Sequence, residues 1–153
     1  MPGQTSMIFT RKALMLEVPF TKGLPRHQDT DWYVRIGART DVSVEFVDSE
    51  PLAIWYLDEN RASIVKINQW ERSREWLNSV RSLITPRAYA GFIATQLARE
   101  AAAQGSLRGF FQLLRDMFKF GRPGQMDVAL YFGQWLLPGS LRSSVRRLLS
   151  RSA

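Results

Sequence analysis

The feature that most constrains the fold is the helical spacing of apolar residues from about residue 69 onward. Apolar side chains recur there at intervals of three and four, which places them on one face of an α-helix. Gly, Pro or Ser residues interrupt the pattern, and such residues start or stop helices. The sequence therefore predicts a mainly helical unit over residues 68–153, with helices at 69–84, 86–104, 107–120, 126–137 and 140–153.

Capping residues define several of these helix starts. Thr85 followed by Pro86 has the form of an N-cap and a first-turn proline, and Ser106 is placed to cap the next helix. Gly105 lies where the intervening helix should end. In the helix after Ser106, the apolar spacing predicts these inward side chains: Leu107, Phe110, Phe111, Leu114 and Phe118.

Apolar and aromatic side chains also recur along the other helices. The helix at 69–84 is predicted to bury Trp70, Trp76, Leu77, Val80 and Leu83. An aromatic stripe can be a platform for sugar rings, but it is more often core or a partner interface. We expect the second for the stripe formed by Trp70, Trp76, Phe110, Phe111, Phe118 and Trp135.

The first 67 residues have a mixed pattern. Val42, Val44 and Phe46 alternate with polar residues, as in a β-strand, and residues 7–9 and 52–57 form extended apolar pieces. Short helices are predicted at 11–18 and 29–38, the second capped by Asp29 or Thr30. The predicted fold class is therefore α+β, with a small mixed α/β segment over 1–67 followed by a mainly helical extension over 68–153.

Composition excludes several kinds of site and limits the expected location of the protein. The 153 residues include no cysteine, so disulfides, thiolate metal sites and a cysteine nucleophile are excluded. No apolar stretch approaches the roughly 18–20 residues that span a bilayer, and no basic segment precedes an apolar core at the N-terminus. We expect a cytoplasmic protein, peripheral at the inner face of the cell membrane.

The net charge of +7 is unevenly distributed, because residues 141–153 hold four arginines and no acid. A basic patch attracts nucleic acid, anionic lipid or nucleotide phosphates alike. The chain has no nucleic-acid recognition motif, and its aromatic residues fall mostly on apolar helix faces. No nucleic-acid partner is therefore expected, and an anionic membrane surface is an expected partner of residues 140–153.

Two carboxylates, Asp29 and Asp31, stand two residues apart where a loop is predicted to enter a helix. Backbone N–H groups at a helix start favour an ionised acid. An ionised carboxylate can take a proton from a sugar hydroxyl. The simpler alternative is that Asp29 caps the helix and Asp31 is a first-turn acid, and on the pattern alone this alternative is favoured.

The same pair has the form D-x-D, which elsewhere holds a divalent metal with nucleotide phosphates. That metal motif usually follows an apolar strand, whereas the residues before Asp29 are a loop containing Pro25 and His27. His27 is the only histidine and makes no metal cluster by itself. We predict no metal site here.

A series of motifs in the first 66 residues resembles family 2 glycosyltransferases, which have the GT-A fold. No single motif is specific, and the resemblance rests on their order and spacing. The motifs are TSMIF at 5–9, RKAL at 11–14, LPRHQDTDW at 24–32 with Arg35 after it, and EPLAIWY at 50–56.

The resemblance implies a role for each residue of the acidic motif. Asp29 would be the general base that deprotonates the acceptor hydroxyl in an inverting transfer. Arg35 would tie the helix down as structural support. The acceptor-binding residues would be His27, Gln28, Asp31 and Trp32.

The chain also departs from the family. Its usual Gly-Phe-Asp-Glu turn is replaced by residues 19–22, PFTK. The family's nucleotide-binding half, with its metal-binding D-x-D, has no counterpart here. The resemblance therefore implies a truncated glycosyltransferase, or one that needs a partner chain, with no cofactor of its own, although the family uses Mn²⁺ or Mg²⁺ with a nucleotide sugar.

The implied reaction is transfer of a sugar from a nucleotide-sugar donor to a saccharide or lipid-linked acceptor, as in the synthesis of cell-surface polysaccharide. Nucleotide sugar and acceptor are expected to bind once a partner complements the chain. The alternative is a non-catalytic helical module that docks to a membrane surface or a partner enzyme.

Overall fold

The computed structural model describes residues 8–45 and 69–136, and 69% of these residues are helical. The predicted α+β fold class is wrong, since the described residues contain no strand. The chain forms two compact units, one comprising Met1–Lys66 with Asn78–Ile84 and the other Ile67–Leu77 with Thr85–Ala153. The predicted functional division at residue 67 stays a prediction.

The predicted strand at 42–46 fails because nothing in the described residues pairs with it. Val42 and Val44 have no regular structure, and neither do Ile8 and Phe9. Alternation produces a strand only where a neighbouring strand and a buried face support it. The Phe9 side chain is 85% exposed and that of Val44 is 42% exposed. Phe46 and residues 52–57 lie outside the described residues.

The first unit contains helices α1 (Lys12–Glu17) and α2 (Gln28–Gly37), at the two predicted places. The capping prediction for α2 is wrong, because the N-cap is His27 and neither Asp29 nor Thr30. His27 has a left-handed backbone with φ of 63°. The helix begins directly after it, at Gln28, one residue before Asp29. Both acids consequently lie inside the first turn.

Helix α3 (Trp70–Ser79) begins in the second unit, and the 3-10 turn at Arg81–Leu83 that follows it belongs to the first. The second unit holds the helices after this turn. The first of these runs from α4 (Pro86–Phe92) through a π-helical segment (Ile93–Leu97) to α5 (Ala98–Ala103). Then come α6 (Leu107–Phe120) and α7 (Gln125–Leu136). Helices lie at the predicted places within residues 69–136, except that the first α-helix ends at Ser79 and not at residue 84. The predicted helix at 140–153 lies outside the described residues, within which no helix is long and apolar enough to cross a membrane.

Local side-chain contacts explain where these helices start. The Thr85 hydroxyl accepts the Ala88 N–H at 3.1 Å, and the Ser106 hydroxyl accepts the Gly109 N–H at 3.1 Å, which confirms both predicted caps. At α7 the Asp127 carboxylate accepts the Gly124 N–H at 2.8 Å. The same carboxylate oxygen lies 2.7 Å from Arg87 Nη1, in the first turn of α4. One carboxylate therefore joins the starts of two helices.

The core of the second unit is the helix from α4 to α5, against which α6 and α7 both pack. Its buried side chains span the π-helical segment without a break: Tyr89, Ala90, Ile93, Ala94, Leu97, Ala98 and Ala101. From α3, Trp70, Trp76 and Leu77 are buried as predicted.

The predicted inward face of α6 is wrong at three of its five residues, while Phe110 and Leu114 are half-buried. Leu107, Phe111 and Phe118 are 74%, 67% and 57% exposed, whereas Leu113 and Met117 are fully buried. Two residues that do not belong to the apolar pattern explain why α6 buries a different face. Gly109 lets α6 approach α5 closely, and Asp116 turns inward because it pairs with Arg74 on α3. Leu83, predicted to be buried, is 41% exposed because the α-helix ends before it, at Ser79.

Candidate functional site

The acidic motif lies on α2, and the loop before α2 is fastened to it at Trp32. The indole Nε1–H of Trp32 donates to the Val18 carbonyl oxygen at 2.7 Å. The side chain is 1% exposed, and its ring lies 5.8 Å from that of Phe20, centroid to centroid. A buried indole with a satisfied N–H is a fixed anchor, so Trp32 holds the segment after α1 against α2.

Asp31 is the centre of a second set of contacts between α2 and the same loop. Its Oδ2 accepts the Thr21 hydroxyl at 2.7 Å and Arg35 Nε–H at 2.9 Å. Arg35 Nη2 in turn donates to the Pro19 carbonyl oxygen at 2.8 Å. Hydrogen bonds to a charged group are among the stronger ones, so these contacts fix the loop on the helix. We call the residues Thr21, Asp31, Trp32 and Arg35 the loop clamp.

The loop clamp contains three of the predicted site residues: Asp31, Trp32 and Arg35. Arg35 contacts Asp31 and the Pro19 carbonyl oxygen, and the supporting role that the resemblance implies for it stays a prediction. Asp31 is 5% exposed, and its Oδ2 serves the clamp, while its role in acceptor binding stays a prediction. Sequence reasoning missed Thr21, although it lies in the turn where the chain departs from the family pattern.

His27 and Gln28 form the corner where the loop enters α2. Gln28 Nε2 donates to the Leu24 carbonyl oxygen at 2.7 Å, so the first residue of α2 is bonded to the preceding loop. A left-handed backbone is uncommon for a residue other than glycine, and such residues often occur at functional sites. The proposed acceptor contacts of His27, Gln28 and Trp32 stay predictions.

Asp29 is half-buried in the first turn of α2. Partial positive charge at a helix N-terminus favours a carboxylate there. Residues two apart on an α-helix differ by roughly 200° around its axis, so Asp29 and Asp31 point to different sides. This geometry separates the two carboxylates and argues against a shared metal ion. Within residues 8–45 and 69–136 no group of three or more His, Asp or Glu side chains could hold a metal.

The other end of α2 has an ion pair of its own. Arg39 lies 3.1 Å from a Glu17 oxygen and 2.6 Å from an Asp41 oxygen. The hydrogen bond from Arg39 holds the pKa of the Asp41 carboxyl below its ordinary value. The Glu17 and Asp41 side chains are exposed and that of Arg39 is half-buried, so the pairs contribute little to stability. They connect the end of α1 to the end of α2, away from the acidic motif.

Comparison with known proteins yields no relative. No family model matches the chain, and no curated protein or solved structure matches it either. The glycosyltransferase relationship therefore rests on the motif series and stays a prediction.

Proposed function

We propose that this chain is the acceptor-side part of a glycosyltransferase that uses Asp29 as its general base. The donor is a nucleotide sugar and the acceptor a saccharide or a lipid-linked saccharide. The observation that carries the proposal is the position of Asp29 in the first turn of α2, immediately beside residues fastened by the loop clamp.

The general base has a single role in the reaction. It removes the proton of the acceptor hydroxyl while that oxygen attacks the anomeric carbon and the nucleotide leaves from the opposite face. Configuration inverts because the attack is a single displacement. A positioned base typically contributes about 10²–10⁴-fold to the rate.

Positioning is the contribution of the loop clamp. Catalytic groups must stay within roughly half an ångström of their productive geometry, and supporting hydrogen bonds keep them there. Here the Trp32 and Arg35 side chains fasten the loop to α2 at Val18 and Pro19. Asp31 receives hydrogen bonds from both the loop and the helix, so Asp29 lies on a rigid element.

Binding of the nucleotide sugar requires a donor-binding part, which we assign to a partner chain. In the family that part also brings Mn²⁺ or Mg²⁺ to the diphosphate. In this proposal the acidic motif binds neither the nucleotide sugar nor the metal ion, because Asp29 and Asp31 point to different sides of α2.

The test joins the donor-binding half of a working family 2 glycosyltransferase to this chain and measures nucleotide release from UDP- and dTDP-sugars with Mn²⁺. We expect Asp29→Asn to lower turnover by about 100-fold or more. Asp41→Asn, at an exposed acid beyond the end of α2, is the matched control and should leave turnover unchanged. Equal turnover in the fusion with and without Asp29→Asn would contradict the proposal. In parallel, the same sugars are titrated into the unfused chain, which should not bind them.

A further inference from the structure

Large apolar side chains are exposed mainly on α6 and α7. In the described part of the chain eleven such side chains are exposed, and seven of them lie on these two helices. Singly scattered apolar residues on a surface are ordinary, but a contiguous group indicates a binding surface. The seven are Leu107, Phe111, Phe118, Met126, Leu130, Phe132 and Leu136.

On α6 the exposed apolar residues form a stripe. Leu107, Phe111 and Phe118 follow one another at intervals of four and seven, so they lie on one side of the helix. Arg108, Arg115 and Lys119 lie beside this stripe and are exposed. An apolar stripe with a cationic border is the pattern of a helix lying in the plane of a membrane interface.

On α7 the exposed face continues the apolar surface and contains no charge. Phe132 and Leu136 lie one turn apart on the side of α7 that meets Phe110, whereas Met126 and Leu130 lie one turn apart roughly 120° farther around the helix axis. The two helices meet through Phe110, whose ring lies 6.0 Å from that of Phe132 and 5.2 Å from that of Trp135. We call the exposed sides of the two helices the α6–α7 surface.

The charge on this surface is all of one sign. Residues 105–136 contain two acids, Asp116 and Asp127, and both are buried against arginines. Four cations in the same stretch are exposed: Arg108, Arg115, Lys119 and Arg122. The surface therefore presents cations and apolar groups to its surroundings and no carboxylate.

We propose that the α6–α7 surface binds an anionic lipid bilayer at the level of the headgroups. Phe111 and Phe118 enter the boundary between headgroups and acyl chains, and Arg108 and Lys119 meet the lipid phosphates. Both components are needed. Burial of the apolar side chains determines how deeply the surface inserts into the bilayer, and the cations make it prefer anionic lipid.

A second copy of the chain is a poorer occupant. Two such surfaces brought together would place like charges opposite each other, which opposes association. The proposal is also distinct from binding through the arginines at 141–153, because it rests on α6 and α7 alone.

The test is co-sedimentation of the full chain with vesicles of phosphatidylcholine, either alone or with one quarter phosphatidylglycerol. We expect binding to the anionic vesicles, weakened by added salt, and much less to phosphatidylcholine alone. Phe111→Ser with Phe118→Ser should lower the partition coefficient by about tenfold or more. The matched control is Phe9→Ser with Leu16→Ser, at two exposed apolar residues of the first unit, and should bind normally.

A second variant pair tests the cations. Arg108→Gln with Lys119→Gln should lower anionic binding by about tenfold or more, while Lys22→Gln with Arg72→Gln removes the same charge elsewhere and should have little effect. Arg115 is left in place because its Nε is 3.6 Å from the buried Asp116 carboxylate. If a serine variant loses its helical circular dichroism, Met126→Ser with Leu130→Ser replaces it.

Three results would overturn the proposal. One is equal lipid binding by the α6 serine variant and its Phe9/Leu16 control. Another is loss of binding only on replacing Arg142, Arg146, Arg147 and Arg151 by Gln. The third is a dimer in light scattering that the α6 serine substitutions convert to a monomer, which would make a second copy the occupant.

Discussion

Arg74 on α3 holds Asp116 on α6 with two donors on one oxygen. Its Nε and Nη2 both lie 2.6 Å from Asp116 Oδ2, across 42 residues of sequence. The Asp116 side chain is fully buried, and among residues 8–45 and 69–136 its other oxygen has no hydrogen-bond partner. The carboxylate therefore depends mainly on a single guanidinium for compensation of its charge.

Replacing Arg74 should be strongly destabilising. Arg74→Met keeps an aliphatic stem but leaves a buried carboxylate without its main cation, which typically costs about 3–5 kcal/mol. The free energy of unfolding from urea titrations, followed by circular dichroism, measures this loss. Arg72→Met, at an exposed position of the same helix, is the control and should change it by less than about 0.5 kcal/mol. A loss below about 1 kcal/mol for Arg74→Met would contradict the assigned role.

Replacing both members of the pair should recover much of that loss. Arg74→Met combined with Asp116→Leu exchanges a buried ion pair for apolar groups, and such exchanges are often neutral or stabilising. The same urea titrations should place the double variant closer to the unsubstituted protein than Arg74→Met. Additive losses would mean that the pair is not the source of the effect.

Two glycines should respond to alanine with opposite signs. A Cβ at Gly109 would lie 2.9 Å from the Ala101 Cβ and 3.2 Å from the Trp70 ring, so Gly109→Ala should destabilise by about 1–3 kcal/mol. At Gly91, inside α4, the nearest atom would be 3.9 Å away, so Gly91→Ala should stabilise by about 0.5–1 kcal/mol. Thermal unfolding of both variants checks the signs, and a stabilised Gly109→Ala would show that α6 does not pack this closely on α5.

The loop clamp should weaken when Thr21 loses its hydroxyl. Thr21→Val keeps the shape but removes a donor to Asp31 Oδ2, and we expect a loss of about 1 kcal/mol. Hydrogen exchange of the α2 amides measures it within the first unit. Thr40→Val, at an exposed threonine after α2, is the matched control. Exchange rates that rise equally in both variants would argue against the clamp.

Alkaline pH should destabilise the second unit through Tyr131. Burial of its hydroxyl, which donates to the Phe110 carbonyl oxygen, raises the pKa of Tyr131. The neutral phenol is thus favoured in the folded state, and the unfolded chain loses its proton first. The stability contribution is complete below the ordinary tyrosine pKa of about 10 and is lost as pH rises above it. Urea titrations from pH 8 to 11 should give a shallower decline for Tyr131→Phe, and identical slopes would contradict this.

The helices were predictable where their signals are local. Thr85 and Ser106 cap helices by accepting the backbone N–H three residues later, so each contact depends on a short stretch of sequence. The inward face of α6 was not predictable in this way. It depends on Asp116 meeting Arg74 and Gly109 meeting Ala101, contacts that apolar periodicity does not encode.

The candidate site shows the same limit. The sequence placed Asp29 and Asp31 at the start of a helix, which is where they lie. It placed the cap two or three residues late, because a left-handed His27 has no distinctive sequence signal. The contact between Thr21 and Asp31 crosses ten residues and follows no period, so only the folded chain reveals it.

The carboxylate of Asp127 has a consequence for how the second unit opens. Because it receives both the Gly124 N–H and Arg87, fraying at the start of α7 releases a contact that also steadies the start of α4. Helix ends normally fray independently, as the least protected parts of a domain. Here the two ends, nearly forty residues apart along the chain, are expected to open and close as one cooperative step.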